Sequence, residues 1–327
     1  MREPWTRDEA SAAGQVFEDR LWALLMEQSR GHLHVFRPLL DRGVDGLLHR
    51  LSDGAYFPVQ AKGRSSLRKG RVQLLVEADS VADDHVVIVA GEVVEGGVGP
   101  SMLVIPTPDF RHHALLTTAD GLPVYSMSFG MQPRSQGRWA PWLTPSDRLV
   151  ERFGVPLGLP ALAIAPEPKP LRRGPLGFLG ETEIARVLAE AERLNLFRPF
   201  PDLETVELAV RHLDTGRVLG IQIKTVSVDR ASPNRPVDIR IASFRPAPTT
   251  YFTVVAWMPD ERRFHDECLV FPSEDLLQFA RRAGPHYMFE FQPGSKRQRR
   301  LDRYRRPLAA LAAETEGLLS EPLNSAS

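Results

Sequence analysis

Two short stretches of this chain set an amide and an amine two residues apart, Gln60-Ala61-Lys62 and Gln222-Ile223-Lys224. In a strand, residues i and i+2 point the same way, so Gln60 faces with Lys62 and Gln222 with Lys224. A carboxylate stands upstream of each pair at one common offset, Asp45 in the first case and Glu207 in the second. Laid without a gap, residues 44–62 match residues 206–224 at Val44, Leu51, Gly54, Gln60 and Lys62. Chance supplies roughly one identity over such a window, so an internal repeat is the first inference. Carboxylate and amide oxygens are hard donors suited to Mg2+ (or Mn2+), which makes Asp45, Gln60, Glu207 and Gln222 the candidate metal ligands. Lysines beside them, Lys62 and Lys224, can orient a water or stabilise charge building on a phosphoryl oxygen. Singly, each feature has an ordinary reading: a lysine at a strand end, a half-buried amide, an Asp-Gly turn at Asp45-Gly46.

The elements that must position these groups also come in pairs. Val16, Phe17, Leu21, Leu24, Leu25 and Gln28 follow the helical period over residues 14–28, a helix that carries Glu18. Residues 43–51 read as a strand carrying Asp45, Ser52-Asp53-Gly54 as a hairpin turn, and residues 56–62 as the paired strand. The apolar run at residues 85–90 predicts a central buried strand, residues 102–106 another, and residues 108–116 the start of a helix. The second half replays this order: Gly177-Phe178-Leu179-Gly180-Glu181 opens a helix, Phe197-Arg198-Pro199 echoes Phe36-Arg37-Pro38, and Asp214-Thr215-Gly216 supplies the turn. Gln292-Pro293-Gly294-Ser295 likewise echoes Gln132-Pro133-Arg134-Ser135. Pro156, Pro160, Pro166, Pro168, Pro170 and Pro175 mark a semi-rigid linker. The expected organisation is a first domain at 1–155, a Pro-rich linker at 156–176 and a second domain at 177–327. Each domain is expected to be α/β, with a central mixed sheet flanked by helices.

Composition narrows the partners. Lys plus Arg equals Asp plus Glu at 41 each over 327 residues, so a nucleic-acid surface has to be local. Arg64, Arg68, Lys69 and Arg71 follow Lys62 directly and would flank a substrate phosphate. A second basic run holds Lys296, Arg297, Arg299, Arg300 and Arg303. A single cysteine, Cys268, excludes an internal disulfide and a cysteine-based zinc site. His32 with His34 and His112 with His113 lack partners at zinc spacing and read as structural or surface residues. Walker, dinucleotide-binding and nucleophile-elbow patterns are missing. With no apolar leader and no run approaching a membrane span, a cytoplasmic, membrane-free protein is the expectation.

The arrangement of helix glutamate, carboxylate and Gln-x-Lys resembles the PD-(D/E)XK, or restriction-endonuclease-like, nuclease superfamily, in its variant with Gln before x-Lys and here in tandem. The likeness implies two restriction-endonuclease-like domains and Mg2+-dependent hydrolysis of phosphodiester bonds in DNA, in a setting such as bacterial antiviral defence. It implies Asp45 and Gln60 as metal ligands, Lys62 as catalytic lysine and Glu18 as an assisting acid, with Glu181, Glu207, Gln222 and Lys224 in the matching places. Several features depart from the pattern. Neither Asp45 nor Glu207 follows a proline, Gln carries no charge, Glu207 is a methylene longer than Asp, and Val72–Val76 and Val237–Ile241 read as strands where a crossover helix is expected. The alternatives are a non-catalytic nucleic-acid-binding module and a scaffold subunit of a defence complex, the latter using Trp139 and Trp142 as exposed aromatics.

Overall fold

The computed structural model describes residues 7–39, 42–64, 67, 70–95, 97–119, 121–130, 137–162, 175–200, 206–229, 231–295, 297 and 299–320. The chain forms two compact units, Met1–Ser52 with Tyr56–Leu162 and Asp53–Ala55 with Ala163–Ser327. Most of the Pro-rich segment, residues 163–174, lies outside the described residues, as do residues 131–136 and with them Gln132 to Ser135.

The first unit opens with α1 (Arg7–Ser29), followed by β1 (Leu33–Pro38), β2 (Gly46–Arg50), β3 (Ala55–Arg64), β4 (Arg71–Glu77), β5 (Val87–Val94), β6 (Gly97–Val98) and β7 (Ser101–Pro106). A short α2 (Thr107–His113) leads to β8 (Leu115–Ala119), β9 (Leu122–Gly130) and β10 (Leu143–Pro145). Its main sheet runs in the order β1-β2-β3-β5-β7-β10, with β3 and β5 parallel and β5–β7 and β7–β10 antiparallel. Strands β4, β9 and β8 form a separate three-stranded antiparallel sheet. The β3-to-β5 crossover therefore runs through a strand, as the Val72–Val76 pattern predicts. Its alternating exposure along β4 is that of a sheet with one face on the core and one on water.

α1 covers one face of the main sheet, packing Phe17, Leu21, Trp22 and Leu25 on Val35, Leu48, Val59, Ala61, Val89 and Val104. The opposite face, with Ile88, Ala90, Leu103 and Ile105, is covered by Val72, Leu74, Val76, Met127 and Phe129 of the small sheet. Strands buried on both faces must be continuously apolar, which is why β5 and β7 carry no alternation. Trp139 belongs to this second core and is only 3% exposed, with Trp142 packed against it, so the expectation of an exposed aromatic pair is corrected. An indole is worth more to a core than to water.

The second unit has α3 (Pro175–Ala189), β11 (Leu194–Phe200), β12 (Leu208–His212), β13 (Val218–Ser227), β14 (Arg235–Arg240), β15 (Thr250–Met258), β16 (Arg263–Phe264) and β17 (Glu267–Pro272). β18 (Arg281–Ala283), β19 (His286–Phe291), β20 (Arg305–Pro307) and α4 (Leu311–Ser320) complete it. Its main sheet runs β11-β12-β13-β15-β17-β20, with the β13–β15 pair parallel, and β14-β19-β18 form a three-stranded sheet. Strand for strand, this is the order seen in the first unit. Both units are α/β with a mixed sheet, as expected. Among the described residues, no helix is long and apolar enough to cross a membrane.

Candidate functional site

Asp45 lies just before β2 and not within it, which corrects the expected strand over residues 43–51. Gly46 is the first residue of β2 and not part of a tight turn; a Cβ there would stand 2.6 Å from the ring of Trp22. Only glycine lets α1 come down this close beside Asp45. The Asp45 N–H donates to Val59 O at 3.0 Å, and the Ala61 N–H donates to Asp45 Oδ2 at 2.8 Å. The carboxylate thus takes the place of a ladder carbonyl and is fixed against the peptide between Gln60 and Lys62.

The register of β3 on β5 pairs Gln60 with Ile88 and Lys62 with Ala90, so both side chains stand on the face that carries the small sheet. Gln60 is 2% exposed, and its Oε1 has no hydrogen-bond partner among the described residues. Lys62 is partly exposed near the end of the strand. α1 brings Glu18 to the same end, because Phe17 packs directly on Gly63, where a Cβ would lie 2.3 Å from Phe17 Cβ. Burial and then the negative charge of Asp45 push the Glu18 carboxyl up to about 7, against the opposing pull of Arg37 and Lys62. Glu18 therefore lies within electrostatic reach of Asp45 and Lys62, while Gln60 is buried on the face of the sheet away from α1. Sequence reasoning missed Arg37, which reaches this field while pairing with Asp19 at 2.6 Å. Its signal was the Phe-Arg-Pro echo.

The second unit repeats the device with different chemistry. The Glu207 N–H donates to Ile221 O at 3.0 Å, and the Ile223 N–H donates to Glu207 Oε2 at 2.9 Å. The longer side chain keeps the cap. Its other oxygen, Oε1, lies 3.8 Å from Lys224 Nζ, whereas no ion pair joins Lys62 to a carboxylate among the described residues. Gln222 is 3% exposed, and Glu181 sits half-buried on α3. The helix contact is inverted in bulk. Gly180 precedes Glu181, and a Cβ on it would lie 1.9 Å from Oγ1 of Thr225, the residue after Lys224. In one unit the bulk is Phe on the helix against Gly on the strand; in the other it is Gly against Thr.

Asp45 and Glu18 offer hard carboxylate oxygens of the kind a divalent cation takes, while the buried Gln60 oxygen, with no hydrogen-bond partner among the described residues, stands on the face of the sheet away from α1. Among the described residues, no group of three or more His, Cys, Asp or Glu is placed to hold a metal, so the amide oxygen and solvent would have to complete any shell. A concave surface of the second unit, of about 450 Å3, is lined by Val228, Asp229, Met258 and His265 and holds none of Glu207, Gln222 or Lys224.

The basic residues separate. Arg64 donates to Gln73 O at 3.2 Å and Arg71 to Ser128 Oγ and O at 2.9 and 2.8 Å, which sets both across the edge of β4. Arg297, Arg299 and Arg300 are exposed. Arg303 is tied to the Gln278 side chain, the Tyr304 hydroxyl and Asp275. Arg68, Lys69 and Lys296 lie outside the described residues. Of the histidines, His34 is buried and held down to about 4 by desolvation, and His32 meets Pro160 O at 3.1 Å.

No protein-family model and no curated relative matches this chain. Among solved structures, a bacterial homing endonuclease is similar over 44% of this chain and 88% of its own, at 20% identity and a TM-score of 0.30. That likeness is too slight to bear on fold or chemistry.

Proposed function

We propose that the chain is a nuclease of the restriction-endonuclease-like type, built from two copies of one ancestral domain, with its working centre in the first. The observation that carries this reading is the electrostatic proximity of Glu18 to Asp45 and Lys62, with Glu18 held near neutrality by burial and then by Asp45. Asp45 and Gln60 would hold a Mg2+ or Mn2+ ion, which supplies Lewis-acid polarisation of a phosphoryl oxygen when bound. The Ala61 N–H fixes one Asp45 oxygen and so orients the carboxylate toward the site. Lys62, without a carboxylate partner among the described residues, positions water or meets charge developing on the phosphate. Glu18, poised near pH 7, can accept or return a proton there. Arg64 and Arg71, with Arg297, Arg299 and Arg300, offer phosphate contacts to DNA.

Cleavage of DNA with Mg2+ or Mn2+ should fall by at least about a thousandfold in Asp45→Ala and in Lys62→Ala, the scale of losing an electrostatic partner of the transition state. Glu207→Ala and Lys224→Ala should stay within about twofold of the parent chain. Activity surviving both first-unit changes in a folded protein would end the nuclease reading.

The ion pair in the second unit favours a second reading for that copy alone, as a DNA-holding module. Lys224 is neutralised by Glu207 and so less available to a phosphoryl group. Binding by that module should weaken with salt and need no metal.

A further inference from the structure

The three-stranded sheets of the two units end on corresponding strands, β8 and β18, that are built in opposite ways. β18 is Arg281-Arg282-Ala283, short and charged, which is how sheet edges are kept from pairing with other chains. β8 is Leu115-Leu116-Thr117-Thr118-Ala119, longer, uncharged, free of proline and with two β-branched threonines at its centre. Among the described residues it pairs only with β9, leaving its other backbone edge open. Leu115 is 63% exposed and Leu116 57%. Such an edge is a template for another strand.

The residues around it show which strand. Register across the sheet puts Leu75, Ser126 and Leu115 in one row, and Ala119 beside Leu122 in another. Leu75 and Leu122 are each 54% exposed. An antiparallel copy of β8 centred on Thr117 would set Leu115 against the partner's Ala119, next to the partner's Leu122, and Thr117 against the partner's Thr117. The row Leu75-Ser126-Leu115 then continues into the partner's Ala119 and Leu122, and the two-fold axis repeats it in reverse. The surface is self-complementary, as a closed two-fold interface requires. Thr–Thr pairs are favourable neighbours across antiparallel strands, and no charge within β8 opposes the pairing.

We infer that β8 is an interaction edge on which two copies of this chain join their small sheets, antiparallel and centred on Thr117. The second unit's arginines at β18 mark the same edge where pairing has been suppressed.

The test is sedimentation velocity of the full chain over a concentration series, for the parent, Thr117→Arg and Thr117→Cys. The parent should shift to twice the chain mass as concentration rises, and Thr117→Arg should stay monomeric throughout. Because Cys268 is fully buried, Thr117→Cys presents the accessible thiol and should yield an oxidised dimer that a reductant reverses. A parent that remains monomeric at high micromolar concentration, together with no cross-linking of Thr117→Cys, would overturn the inference. So would a dimer that Thr117→Arg leaves intact, or a parent that forms open-ended aggregates. All the altered side chains are exposed, so loss of the fold does not confound the result.

Discussion

Between the two units, the backbone device is conserved while the charge around it changes. In both, a carboxylate ahead of one strand accepts the N–H between the Gln and Lys of the next, at 2.8 Å from Ala61 and 2.9 Å from Ile223. In the first unit no ion pair joins Lys62 to a carboxylate among the described residues, and burial, followed by the charge of Asp45, raises Glu18 toward neutrality. In the second, the extra methylene of Glu207 lets one carboxylate cap the strand and engage Lys224 at 3.8 Å. The architecture of the motif and its chemistry are separable. A capped strand needs only an acceptor at the right place, whereas a reactive centre needs charges that are not already satisfied by each other.

The comparison breaks most sharply at the helix contact. Phe17→Ala should cost about 3–5 kcal/mol through the cavity it leaves in a fully buried site. Gly63→Thr, the residue of the other unit, should cost about 1–3 kcal/mol or more by overpacking against Phe17. The double variant should recover at least about 1 kcal/mol of their sum in urea unfolding, because each change makes room for or fills the other. Strict additivity would mean that the inverted bulk in the two units is not compensation. Recovery should be partial, since Phe17 also touches Gly91.

A smaller effect tests the electrostatics. In Asp45→Asn the Glu18 carboxyl should titrate below the parent's value of about 7, because a like charge has been removed. An added divalent cation should lower it further in the parent. Carboxyl-detected NMR reads both, and an unmoved Glu18 in Asp45→Asn would dissolve that proximity. Linkage gives the sign for stability. The Glu18 pKa is raised above its unfolded value of 4.5, so its contribution is complete below 4.5 and is lost as pH rises through about 7.

The smallest expected effect separates the units by pH in the other direction. His34 pairs with His49 across β1 and β2, and the corresponding cross-strand pair in the second unit is Asn195 with Arg211, which holds no histidine. His34 is depressed from 6.5 to about 4 by burial, so its stabilisation is present above 6.5 and lost as pH falls toward 4. A single such proton changes stability by at most about 1.4 kcal/mol per pH unit. Hydrogen exchange followed peptide by peptide should therefore show β1 and β2 loosening before β11 and β12 as pH drops from 6.5. Equal loosening in both would remove His34 as the cause.

Read alone, the sequence determined what local chemistry dictates. Alternation, turn residues and apolar runs marked the strands, including the strand crossovers at Val72–Val76 and Val237–Ile241. The matched spacing of Gln60 with Lys62 and Gln222 with Lys224 fixed which side chains share a face. It could not place Asp45 and Glu207 outside their strands, because their caps join residues far apart in the chain through side-chain acceptors. It also overestimated the exposure of Trp139, since burial depends on which sheet folds back over it. The tertiary structure alone decided that Glu18 feels Asp45 and that, among the described residues, Lys224 is paired while Lys62 is not and β8 is left with an open edge. Those outcomes depend on distances and dielectric set by packing, which residue order encodes only through the fold.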